Sequence, residues 1–135
     1  MVNCGLHDIK RQLTPSGMLG NQVPIDAYAR NLEQIVAIAR EMNSMLIWVR
    51  TTPVVDAIHN RPGMEFYRYA ADVESYNRVA DEIMAHHGIT SIDLFTFTRD
   101  LGPSAYCDHV HYIDSVRAQH AAFIAAQLRR IIRTP

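Results

Sequence analysis

The chain has 135 residues, of which 48% are hydrophobic and 20% charged, enough for one soluble globular domain with a core but not for two. A net charge of -1 and a pI near 6.6, with acids and bases mixed along the chain, give no electrostatic reason to expect nucleic acid or an anionic membrane as partner. Two distant cysteines, Cys4 and Cys107, outline neither a disulfide framework nor a paired-cysteine zinc site, and the start of the chain lacks a basic segment followed by a long apolar run. A reducing, cytoplasmic setting is the expectation for the sequence as written.

Residues 1 to 4 are a short apolar start that ends at Gly5, read as a buried strand. It runs into a loop of polar and turn residues from Leu6 to Val23, long enough to suggest a functional role. From Pro24 onward Ile25, Tyr28, Leu32, Ile35, Val36, Ala39 and Met42 recur at helical spacing, with proline where its missing N–H is harmless. Met45 to Val49 is a continuous apolar run of strand length stopped by Thr51-Thr-Pro53, so helices should cover both of its faces.

A second irregular stretch, Val54 to Gly63, precedes a helix marked by Phe66, Tyr69, Ala70, Val73, Tyr76, Ala80, Ile83 and Met84. His86-His87-Gly88 reads as the end of that helix rather than as a pair of metal ligands. Ser91 to Phe95 is a third strand candidate, and a last helix begins near Asp114 with Ala121, Ile124, Leu128 and Ile131 on one face. The order β-α-β-α-β-α requires parallel strands joined by right-handed crossovers, and ligands of such sheets bind at the carboxyl ends of the strands.

The loops after the first and third strands hold the densest reactive clusters, Gly5-Leu-His-Asp8 and Cys107-Asp-His-Val-His111, and a parallel sheet puts both on one rim. In Asp108-x-x-His111 a tight loop can aim a carboxylate at an imidazole nitrogen, fixing its tautomer and stabilising the imidazolium when the other nitrogen takes a proton. The same pair can equally satisfy turn and helix-cap hydrogen bonds. Cys107, Asp108, His109 and His111, joined by His7, form a metal-ligand set on paper, but that density within five residues strains the geometry, and no metal is expected. His109 is expected to face solvent. Cys4 could act as a thiolate nucleophile beside the site or be an inert buried thiol. Ser16 and Ser104 fall in rim loops, where turn roles are the default.

Over nearly its whole length the chain resembles the second half of the SGNH/GDSL hydrolase family. Gly5-Leu-His-Asp8 resembles the family's third block, G-x-N-D, and Asp108-His-Val-His111 its fourth, D-x-x-H. Tyr76-Asn-Arg-Val-Ala-Asp-Glu-Ile, leading through His87-Gly88-Ile89 to Ile92-Asp-Leu-Phe95, resembles the helix and strand that precede the fourth block. The resemblance implies a flavodoxin-like three-layer α/β sandwich, here partial: a single truncated domain over residues 1–135 with about three parallel strands and helices on both faces.

It also implies a serine ester hydrolase acting on a small-molecule ester without a cofactor. His111 would be the general base, Asp108 its orienting carboxylate, and Gly5 with His7 part of the oxyanion hole. Two departures stand out. His7 replaces the usual asparagine, and its ring could donate to an oxyanion or be held by Asp8. The blocks that carry the GDS serine and the glycine are absent, and none of the serines present lies in a G-D-S or G-x-S-x-G setting. The bare sheet edge this would leave predicts a homo-oligomer formed by edge pairing. The alternative is a non-catalytic module that uses the remains of a hydrolase site as a pocket. Arg11, Arg50 and Tyr106 are further rim candidates for substrate selection, although solvated surface positions are the default for the arginines.

Overall fold

The computed structural model describes residues 1–133. Its centre is a parallel sheet. Strand β3 (Ile47–Val49) pairs with β5 (Thr90–Ile92) in the register Ile47↔Thr90, Trp48↔Ser91 and Val49↔Ile92. On the other edge of β3, Val2 forms a parallel bridge to Trp48: its N–H donates to the Ile47 carbonyl and its carbonyl accepts from Val49 N–H, both at 2.9 Å. The expected first strand is thus reduced to a single bridged residue, and β3 is the middle of three parallel segments.

Side-chain alternation along β3 separates two apolar layers. Trp48 faces helices α1 (Ile25–Glu41) and α3 (Ala70–His86), where it packs with Tyr28, Leu32, Val36, Val73, Tyr76, Ala80 and Met84. Ile47 and Val49 face the opposite way, joining Ile92 and Leu94 against Phe123, Ile124, Leu128 and Ile131 of α5 (Asp114–Arg133). Helices therefore cover both faces of a parallel sheet, as the sequence pattern requires. Helix α1 begins after Pro24, and α3 ends at His86, where Gly88 takes φ +68°. His87 closes that end by hydrogen-bonding Glu33 at 2.6 Å and Arg40 at 3.0 Å, a structural role for this histidine.

Three segments depart from the sequence expectation. The long loop after Gly5 contains a hairpin, β1 (Arg11–Thr14) and β2 (Gly17–Met18), whose Thr14-Pro-Ser-Gly17 turn is tied by Thr14 Oγ1 donating to the Gly17 carbonyl. Strand β4 (Phe66–Tyr67) pairs antiparallel with β1, so Phe66 lies in a strand, and α3 starts only at Ala70. Its first N–H is taken by Asp56 Oδ1 at 2.7 Å, from the one-turn helix α2 (Asp56–His59) in the stretch expected to be irregular. The third strand stops at Ile92 because Asp93 accepts from Thr96 N–H and turns Leu94–Arg99 into helix α4. Among the described residues no helix is long and apolar enough to cross a membrane.

Candidate active site

Residues 106–112 form a closed loop at the carboxyl end of the sheet. Tyr106 and Tyr112 make an antiparallel bridge, and Cys107 N–H donates to the His111 carbonyl at 2.9 Å. The stem is fixed from two sides. Tyr106 donates to the Pro53 carbonyl at 2.6 Å, and the Tyr112 ring lies 4.7 Å from that of His120, which bonds Thr98 at 3.0 Å.

Inside the loop Asp108 is held by three contacts. Its Oδ1 accepts from Val110 N–H at 2.8 Å and His111 N–H at 2.7 Å, and its Oδ2 lies 2.7 Å from His111 Nδ1. The two main-chain donors and the imidazole hold the Asp108 carboxyl well below the usual carboxylate range. An ionised carboxylate only accepts, so Nδ1 carries a proton, and in the neutral ring the lone pair is on Nε2. Nε2 has no hydrogen-bond partner among the described residues, and the His111 side chain is 72% exposed. Asp108 thus uses one oxygen for the turn and the other for the imidazole.

His111 borders a cavity of about 600 Å³ whose walls include Leu6, Thr52, Cys107, Val110 and Ile113. The two strand-end clusters accordingly meet at one rim, with Leu6 as the first cluster's contribution to the wall. Gly5 is buried just behind it with φ +139°, where a Cβ would come within 2.6 Å of Thr51 Oγ1. The Cys4 carbonyl accepts from Thr51 Oγ1 at 2.9 Å and Tyr28 OH at 3.0 Å, which binds the first segment to the end of β3.

The other sequence candidates sort clearly. The His7 side chain is exposed, has no bonded partner among the described residues, Asp8 included, and does not line the cavity. His109 is half-buried rather than solvent-facing, its ring edge-on to His59 at 5.0 Å. Burial, and then Asp8, push the Cys4 thiol up to about 11, so at neutral pH it is protonated and a poor nucleophile. Ser16 sits in the hairpin turn 3.0 Å from Thr14 Oγ1, Ser104 in an exposed 3-10 turn (Pro103–Ala105), and neither borders the cavity. Among the described residues no group of three or more His, Cys, Asp or Glu is placed to hold a metal ion. Arg11 is taken by Asp72 in a two-point ion pair at 2.9 and 2.6 Å, and Arg50 lies between Asp81 and Asp93 at 3.1 and 2.7 Å.

Sequence reasoning missed the residues that brace the rim. Arg68 and His59 are buried behind Leu6, and Asn77 grips the main chain of Thr51. Arg68 falls in Phe66-Tyr-Arg-Tyr69, where apolar spacing suggested helix, and a buried arginine leaves no periodic signal.

No protein-family profile matches the chain, and no curated protein matches it significantly in sequence. Among solved structures, the chain is similar to the lipase/acylhydrolase from Enterococcus faecalis, with a TM-score of 0.63 and 16% identity over 78% of this chain. The match spans 52% of that protein, so this chain corresponds to about half its length. At this identity the likeness establishes the fold: the α/β arrangement of a lipase/acylhydrolase.

Proposed function

We propose that this chain carries the base half of a serine ester hydrolase of the SGNH/GDSL type, with Asp108 orienting His111 and His111 accepting a proton through Nε2. The observation that carries the reading is the 2.7 Å contact from Asp108 Oδ2 to His111 Nδ1, made by a carboxylate whose other oxygen is already fixed by two main-chain N–H groups. That arrangement leaves an oriented imidazole with a free, basic Nε2. In the reaction Nε2 takes the proton of a serine hydroxyl as it attacks the ester carbonyl, and returns it to the departing alcohol. The Gly5–His7 segment supplies donors for the oxyanion, and the largely apolar walls beside His111 suit the acyl or alkyl part of a small-molecule ester. Among the described residues no serine borders the cavity, so in this reading the attacking serine is not one of the residues that line it. The lipase/acylhydrolase likeness over about half of a longer protein agrees with this reading.

The same lack of a serine favours a second reading, in which these residues bind a small molecule without turning it over. Under either reading the outer edge at Val2, with Met1 61% exposed beside it, is a site for pairing with another strand, and we propose a homo-oligomer formed there. A monodisperse monomer by sedimentation would overturn that assembly.

Two measurements test the dyad. Nitrogen-15 NMR of the His111 ring is expected to place its proton on Nδ1, and a ring protonated on Nε2 instead overturns the base assignment. Intact-mass analysis after fluorophosphonate treatment, with His111→Ala as control, then separates the two readings. A serine labelled in the native chain but not in the variant means that the chain itself is a working hydrolase. No labelling assigns these residues to binding or to half of a divided site.

A further inference from the structure

Arg68 is 4% exposed, yet no carboxylate lies within ion-pair distance of it among the described residues. A buried cation ordinarily requires a charged partner. Here neutral groups take its place. Nε donates to the Leu6 carbonyl at 2.5 Å, Nη1 contacts His59 Nε2 at 2.9 Å, and the guanidinium lies 4.8 Å from the centre of the Phe66 ring. A guanidinium only donates, so His59 Nε2 accepts, and its Nδ1–H donates to Asn60 Oδ1 at 3.1 Å. Asn60 also clasps the Arg68 main chain, accepting from its N–H at 3.0 Å and donating to its carbonyl at 2.7 Å. Both ends of Arg68 are therefore fixed.

In a planar trans peptide the carbonyl and the following N–H point in opposite directions. With the Leu6 carbonyl drawn onto Arg68, the His7 N–H is turned away from it. That N–H has no acceptor among the described residues, and Leu6, from the same peptide, borders the cavity beside His111. The Leu6–His7 peptide therefore carries a donor without a partner among the described residues, on the segment whose Leu6 shares the cavity wall with His111, and such a donor is what a carbonyl oxygen gathering negative charge requires.

We propose that the main-chain N–H of His7, rather than its ring, is the oxyanion donor of this site, and that Arg68 is the positioning residue that aims it by clamping the Leu6 carbonyl. The inference rests on the ester-hydrolase reading above. The clamp also reaches the opposite loop. His59 meets the His109 ring at 5.0 Å, and His109 Nδ1 lies 3.8 Å from Asp108 Oδ1. One buried cation thus sets the two halves of the rim against each other.

The test is a proton–nitrogen NMR titration of the full chain with butylphosphonate, an oxyanion bearing a short apolar tail. The His7 amide is expected to shift downfield on saturation. Arg68→Met should abolish that shift and weaken binding about tenfold, the order of one charged hydrogen bond. Arg68→Lys, which keeps a cationic donor but not the fork, should restore part of both. The His111 Nδ1–H signal should be the same in all three proteins, which a general loss of structure would not allow. Binding that shifts His111 but not the His7 amide overturns the proposal, as does no binding at all, or an unchanged shift in Arg68→Met. If Arg68→Met does not fold, the native and lysine proteins decide. A native protein lacking the Nδ1–H signal counts against the Asp108–His111 reading, a separate failure from a silent His7 amide.

Discussion

Asn77 satisfies both main-chain polar groups of Thr51: its Oδ1 accepts from Thr51 N–H at 2.9 Å and its Nδ2 donates to the Thr51 carbonyl at 2.8 Å. Asn77 is 1% exposed and Thr51 4%, so water cannot replace either bond. The pair ends β3 and holds the residue whose side chain binds the Cys4 carbonyl. Asn77→Leu leaves one donor and one acceptor unpaired in the interior, and it should lower unfolding free energy by about 2–4 kcal/mol. Urea unfolding of native and variant chains measures it, and a loss within experimental error would show that the Thr51 peptide finds other partners.

Of the glycines, Gly5 is the one at which an added methyl group meets close neighbours. Its φ of +139° disfavours any side chain, and an added Cβ would sit 2.6 Å from Thr51 Oγ1. Gly5→Ala is expected to cost about 3 kcal/mol, combining backbone strain with overpacking. It should also displace Leu6 from the cavity wall, seen as amide shifts at residues 6–8. Gly17→Ala, with nothing within 4 Å of the added carbon, is the control for strain alone.

How far these relations were legible depends on the kind of signal each residue leaves. Apolar periodicity located α1, the body of α3 and α5, because each buries one stripe against a sheet. The continuous run ending at Val49 located β3 for the same reason, since both of its faces are covered. Elements of two to four residues have no period to read, so β1, β2, β4 and α2 stayed hidden. Asp93 was decisive for the third strand: a single cap turned Leu94 and Phe95 from strand into helix. At the site, Asp108 and His111 were readable because they are close in sequence and act through one loop. Arg68, 62 residues from Leu6, and Asn77, 26 from Thr51, act across the fold and left no local pattern.

Acid should weaken the fold through its buried histidines. Burial first, and then the Arg68 charge, hold His59 below the ordinary imidazole value, and burial alone does the same for His120. A histidine depressed in the folded state binds protons more readily when unfolded. Its stabilising contribution is therefore present above the unfolded value, about 6.5, and is lost as pH falls toward the folded one. Unfolding free energy should accordingly drop between pH 7.5 and pH 5. His59→Gln, which keeps an acceptor for Arg68 but cannot ionise, should flatten that slope, and an unaltered slope would place the acid sensitivity elsewhere. Asp108 adds nothing in this window, because its carboxyl is held well below the usual range and stays ionised throughout.

The two thiols should behave oppositely toward an electrophile. Cys107 is exposed on the wall of the His111 cavity, whereas Cys4 is half-buried and pushed up to about 11 by burial and Asp8. Since the thiolate is the reactive form, a disulfide reagent at pH 7.5 should modify Cys107 rapidly and Cys4 only on unfolding. Mass analysis should find one added group, absent in Cys107→Ser. A modified thiol would also place a bulky group beside His111, so fluorophosphonate labelling or phosphonate binding at the site should be blocked after the reaction. Equal reactivity of the two cysteines would mean that the segment from Val2 to Gly5 opens readily from β3, and that the single bridge at Val2 does not hold this edge of the sheet.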